Sequence, residues 1–224
     1  GSDGRAHVDH RAIASLALPL MGNSSLQAVI NLTDTWFVGH ISTTAMAGMA
    51  AIFWLVFFFV CLLGGVGLAV QTFVAQYEGG GRRWRAGHAT WVGLWGAAGT
   101  LPVFAGFAFA GALLLKPFGL DAEVEQNALE YWRPRMLGAP RGVALWAILG
   151  FFNGISRPRV TVATTLIVGV VNAVLNQVFI FELGWGVAGA AWATNVSMGI
   201  GLMFALWVFT RGDLGTRYRT HLTW

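Results

Sequence analysis

The chain has 224 residues, of which 56% are hydrophobic and only 11% charged, and its formal net charge is +4. A soluble domain carries roughly a quarter charged residues and a disordered one combines low hydrophobicity with high charge, so this composition excludes disorder and argues against a cytosolic enzyme. Thirty glycines and eleven tryptophans fit a chain in lipid, where glycine is frequent and tryptophan collects at the interfaces. The apolar runs are long and continuous, unlike the short alternating segments of a β-barrel.

The expected fold class is an all-α polytopic membrane protein, a six-transmembrane-helix bundle. About 20 apolar residues cross the hydrocarbon core. Six such spans are read at about 12–37, 46–76, 88–115, 126–154, 160–181 and 187–209. Residues 1–11 form an N-terminal tail, 12–210 a single lobe, and 211–224 a second tail or a truncated connection to a further lobe. No cleavable leader is visible, because the first apolar run is too long for a signal core.

Span one contains Pro19, a proline that removes a backbone donor and permits a bend. A polar series follows at Asn23, Gln27, Asn31 and Asp34, whose spacing puts all four on one face of a helix. An aspartate at the centre of a span costs about 2.5–3.5 kcal/mol, so Asp34 marks a functional site. Span two holds Cys61, the single cysteine, read as a packing residue with no disulfide available to it. Glu78-Gly79-Gly80-Gly81 ends this span and leads into Arg82, Arg83 and Arg85.

Lys116-Pro117-Phe118-Gly119 ends span three. Residues 121–130 read as a surface helix entering span four. In that span Arg133 and Arg135 look like interfacial residues that reach out to water, and Arg141 falls near mid-membrane. Span five carries Thr161, Thr165, Asn172 and Asn176 on one face. Span six carries Thr194 and Asn195 in an otherwise small, apolar run.

The basic residues of the tails and of the loops after spans two and four lie on one side, which the positive-inside rule makes cytoplasmic. Both termini are therefore expected inside, in a multi-pass protein of the bacterial inner (plasma) membrane. These short arginine clusters sit between apolar runs and imply a lipid surface, not nucleic acid. The five histidines lack metal-ligand spacing, and no nucleophile elbow or zinc-protease motif is present. Counted by helical rise, Asp34, Asn172, Asn176 and Thr194 reach a common level in the outer half. A carboxylate held there by amides and a hydroxyl is a proton or sodium switch, and H+ or Na+ as coupling ion is the only cofactor expected.

Four stretches carry a family resemblance. They are Leu18-Pro19-Leu20 with Asn31-Leu32-Thr33-Asp34-Thr35 and Val38-Gly39-His40; Ala75 to Gly79; Tyr131 to Arg135 with Gly138-Ala139-Pro140; and Asn172 to Asn176 continuing into Gly186 to Thr194. In their order and spacing the chain resembles the N-terminal half of a multidrug and toxic compound extrusion (MATE) transporter, in particular the DNA-damage-inducible F branch. That resemblance implies a twelve-helix antiporter of two lobes, exporting small organic cations or drugs against protons or sodium. It implies that Asp34 couples the cation, with Asn172, Asn176 and Thr194 as partners and Pro19 as hinge. Many relatives have an aspartate where this chain has Asn176, which leaves one carboxylate at the site. Asn23, Gln27, Asn31 and Arg141 are then expected to line the substrate cavity, and a second lobe, separate or from a homodimer, is expected as partner. The alternatives are a lipid-linked precursor flippase of the same superfamily and a non-transporting half-length scaffold.

Overall fold

A computed structural model describes residues 10–221, with side chains from Met21 onward and that of Leu18. The chain is helical, with no strand among the described residues. In order come α1 (His10–Gly39), α2 (Thr43–Gly79), α3 (Arg83–Gly99), α4 (Leu101–Phe109) and α5 (Gly111–Leu115). A 3₁₀ turn (Lys116–Phe118) leads to α6 (Ala122–Gly154), then α7 (Pro158–Asn176) with a π-helical end (Gln177–Glu182), α8 (Gly186–Thr210) and α9 (Gly212–Arg217).

Four stretches among these are long and apolar enough to cross a membrane: Thr43–Gly79, Arg83–Phe109, Pro158–Glu182 and Gly186–Thr210. α1 and α6, at 30 and 33 residues, have the length, but α6 carries Arg133, Arg135 and Arg141 within its run.

The stretch read as span three is divided. Gly99 and Thr100 end α3, the Thr100 hydroxyl donates to Ala97 O at 2.7 Å, and Pro102 in the first turn of α4 supplies no backbone donor to rejoin the two. The surface helix read at 121–130 is instead the first third of α6 and continuous with it.

α6 is the central element. Its first half packs with α2, α4 and the start of α8 around Trp132, Phe104 and Met136. Its second half packs with α2, α3 and α8 around Phe151, Phe152 and Phe209. The α2–α6 interface is the most extensive, and small residues allow it: a Cβ on Gly67 would lie 2.8 Å from the Val143 carbonyl oxygen. Close approach through small residues is how helices associate where lipid removes any hydrophobic drive. Ser42 caps α2, accepting from Ala45 N at 2.9 Å, and Thr44 donates to Glu123 Oε1 at 2.8 Å, tying the start of α2 to the first turn of α6.

α1 is seated on one side. It packs along α7 and only lightly on α2, so a seam remains between α1 and α2. At the other end of the molecule the residues after α8 fold back. Tyr218 is buried against Phe151, Trp91 Nε1 donates to Thr220 O at 2.6 Å, and the Thr220 hydroxyl donates to Phe209 O at 3.0 Å. Part of the segment read as a tail is thus packed structure. Residues 1–9 and 222–224 of the two tails lie outside the described residues.

Candidate functional site: one carboxylate among amides, and an arginine across a cavity

Asp34 sits five residues before the end of α1 and is partly buried. Asn172 and Asn176 are one turn apart on the face of α7 turned to the interior, and both are fully buried. Thr194 comes from the third turn of α8 and is 7% exposed. Asn176 is the last α-helical residue of its segment, where the backbone widens into the π-helical turn; such turns occur often at functional sites.

The four side chains form one hydrogen-bonded group. Asn176 Nδ2 donates to Asp34 Oδ1 at 2.6 Å and to Asn172 Oδ1 at 3.2 Å. Thr194 Oγ1 lies 3.4 Å from Asp34 Oδ2 and 3.0 Å from Ala190 O, so its single proton has two acceptors. Asn172 Nδ2 donates to Thr194 Oγ1 at 3.4 Å. Both amide hydrogens of Asn176 are used, and its Oδ1 is buried without a partner. An unsatisfied buried acceptor is uncommon enough to require a reason.

A second polar layer lies further along α1 and α7. Thr165 donates to Asn23 Oδ1 at 2.6 Å, and Thr161 donates to Asn153 Oδ1 at 2.8 Å. The first bond fastens α7 to α1 and the second fastens α7 to α6, with Val168, Gly169 and Ile30 between this layer and the carboxylate.

Asp34 opens onto a cavity of about 220 Å³ between α1, α2, α6, α7 and α8, which Gln27, Asn31 and Thr194 also line. A wider hollow of about 560 Å³ in the α1–α2 seam shares Asn31, Asp34, Phe53 and Tyr131 with it. Asn23 is held in the lower layer and is not among the lining residues of either space. Arg141 is exposed and lines neither. The ring of Pro19 lies outside the described side chains; its backbone is within α1.

The arginine in the cavity is Arg135. Six residues separate it from Arg141, which turns the two side chains about 120° apart around the helix. Arg135 Nη1 lies 3.5 Å from Asn195 Oδ1, while Asn195 Nδ2 donates to the Pro134 carbonyl oxygen. Gly138 makes room for this, since a Cβ there would overlap the Asn195 amide. Tyr131, one turn before Arg135, faces the same cavity and is buried. The sequence reading placed Arg135 at the interface and did not single out Tyr131. The available signal was their spacing of four with Ala139 continuing the face.

Against known proteins, the MatE family model matches residues 19–178. The probable multidrug resistance protein NorM of Thermotoga maritima is 29% identical over 200 residues, covering 85% of this chain and 42% of its own length. The multidrug resistance protein MdtK of Edwardsiella ictaluri is 27% identical over 202 residues, 88% of this chain and 43% of its own. An outward-facing multidrug resistance transporter of the MATE family superposes with a TM-score of 0.78 at 25% identity, over 90% of this chain and 45% of that one. The chain thus spans less than half the length of the relatives it matches. With an all-helical fold, membrane-length apolar helices and a family model matched from α1 to the end of α7, the chain belongs to the MatE family of membrane transporters.

Proposed function

We propose that the chain is one lobe of a cation-coupled multidrug efflux antiporter, with Asp34 as the coupling carboxylate. The observation that carries this reading is the Asp34–Asn176–Asn172–Thr194 group, in which three helices converge on one acidic side chain beside a cavity. α1 and α6 complete six spans with the four apolar stretches, the two tails are cytoplasmic, and a second lobe encloses the pathway that alternating access requires. Drug-like amphiphiles occupy the cavity.

In this reading the ionised carboxylate accepts from Asn176 and Thr194. When Asp34 gains a proton it becomes a donor as well, and the unpartnered Asn176 Oδ1 is the acceptor that a rotated amide would offer it. A sodium ion would instead take the carboxylate and the same amide oxygen as ligands, both hard oxygen donors. Either change releases the bond that sets α1 against α7. Because α1 is held lightly by α2, it can then bend near Pro19 and close on the cavity.

Efflux measured in everted vesicles, with this lobe paired to a second one and proton and sodium gradients applied separately, tests the assignment. Asp34→Asn should abolish gradient-driven export while the protein still inserts and folds. Undiminished export by that variant would refute the role.

A further inference from the structure

Arg135 is an unusual side chain for its surroundings. Its guanidinium has five N–H donors, yet the contacts at hand are Nη1 to Asn195 at 3.5 Å and a hydrogen bond to the Tyr131 hydroxyl, and Nε is buried with no hydrogen-bond partner. No carboxylate lies within 4 Å of it among the described residues. Asp34 shares the cavity, but its oxygens are engaged by Asn176 and Thr194. Arg135 is thus not the salt-bridge partner of Asp34, although its guanidinium lines the same cavity.

Among the described residues, the two are the only charged ones lining the cavity. With Asp34 ionised the cavity is neutral overall; with Asp34 neutralised by a proton or sodium it carries a net positive charge. A purely cationic guest gains nothing from that sum. A guest bearing an oxyanion gains a charge-assisted contact from the guanidinium, the group with which arginine binds carboxylate and phosphate. Most of the remaining lining is apolar, Phe53, Phe57 and Trp146 included, and the hollow that shares Phe53 reaches Trp54 and Met46 in the α1–α2 seam. The matching guest has an acidic head and a lipophilic body.

We propose that Arg135 is the anion-receiving subsite of the transport cavity and that the chain selects amphiphilic acids over simple organic cations. This rests on the reading of the cavity as the transport site, and it replaces the purely cationic substrate class expected from the resemblance. Exchange against a cation at Asp34 then works through volume, which has to outweigh the attraction a neutralised Asp34 adds: a body filling about 220 Å³ prevents α1 from closing as the cation-bound state of the proposed cycle requires. Asn195 and Gly138 act through Arg135 as positioning residues.

Binding to the purified full chain in nanodiscs tests this with 2-naphthoate and its uncharged counterpart, methyl 2-naphthoate. The wild type should bind the acid at least about tenfold more tightly than the ester. Arg135→Gln should weaken the acid roughly 10–100-fold, the range expected for losing a charge-assisted contact, and leave the ester within about twofold. Arg135→Lys should keep part of the acid preference. Asp34→Asn should not weaken the acid, so failure of the coupling role and failure of this subsite are separate outcomes. Displacement of the acid by dioctanoyl phosphatidic acid, lost in Arg135→Gln, identifies a lipid head as the oxyanion source; no displacement identifies a soluble amphiphile. Equal affinity for acid and ester, no binding of the acid, or an acid affinity unchanged by Arg135→Gln overturns the proposal. The acid–ester comparison in the wild type decides it even if the glutamine variant does not fold.

Discussion

Asn176 shows how much one uncharged residue can determine. Its amide holds Asp34 by the shortest bond of the group and Asn172 by another. Leucine at this position fills a similar volume and removes both bonds. Asn176→Leu should therefore cost only about 1–2 kcal/mol in fold stability, as interhelical hydrogen bonds in membranes do, while reducing gradient-driven export at least tenfold. Thermal unfolding in detergent and vesicle efflux separate the two effects. The spacing of four between Asn172 and Asn176 and the polar face of α1 made most of this group legible in the sequence. Arg135 was not legible as a cavity residue, because depth counted along the chain placed it near the outer interface. What decides its role is its direction around α6, which follows from the packing of α2 and α8 on that helix.

At the scale of elements, α6 and α8 are joined through Gly138 and Asn195. The Asn195 amide fills the space that a side chain at Gly138 would need, and it donates to the carbonyl of Pro134 within α6. Gly138→Ala forces the amide to move, a crowding effect worth about 1–3 kcal/mol. The variant should unfold at a lower temperature, and acid binding at Arg135 should weaken with it. The division of the third apolar stretch into α3, α4 and α5 was foreseeable in part. Gly99, Thr100 and Pro102 are helix breakers together, but hydropathy alone runs through them without interruption.

For the whole molecule, the segment after α8 closes one end of the bundle. Glu78 faces Arg83 and Arg217, each at 3.5 Å, and the Tyr218 hydroxyl bonds to the same carboxylate. Burial first, and then that bond and the negative charge of Glu78, push the Tyr218 hydroxyl up to about 12 from its ordinary 10. A raised value favours the neutral form in the folded state, so this contribution to stability is complete below pH 10 and is lost as the pH rises from 10 toward 12. The melting temperature in detergent should fall across that window in the wild type, and Tyr218→Phe should flatten the fall. A basic tail reads as solvated from composition. Its packing depends on Trp91, Phe151 and Phe209, residues brought together from three helices, which no local pattern in the tail announces.

The one-sided seat of α1 sets an energy scale. In the proposed cycle, shifting a helix that leans mainly on one neighbour disrupts a few bonds near its polar face rather than a whole core, so two positions of α1 can differ by only a few kcal/mol. A tenfold difference in ion concentration across a bilayer supplies about 1.4 kcal/mol, and 100 mV adds about 2.3 kcal/mol per charge moved. Were α1 clamped by α2 as well, an ordinary cellular ion gradient would be too weak to drive the proposed movement.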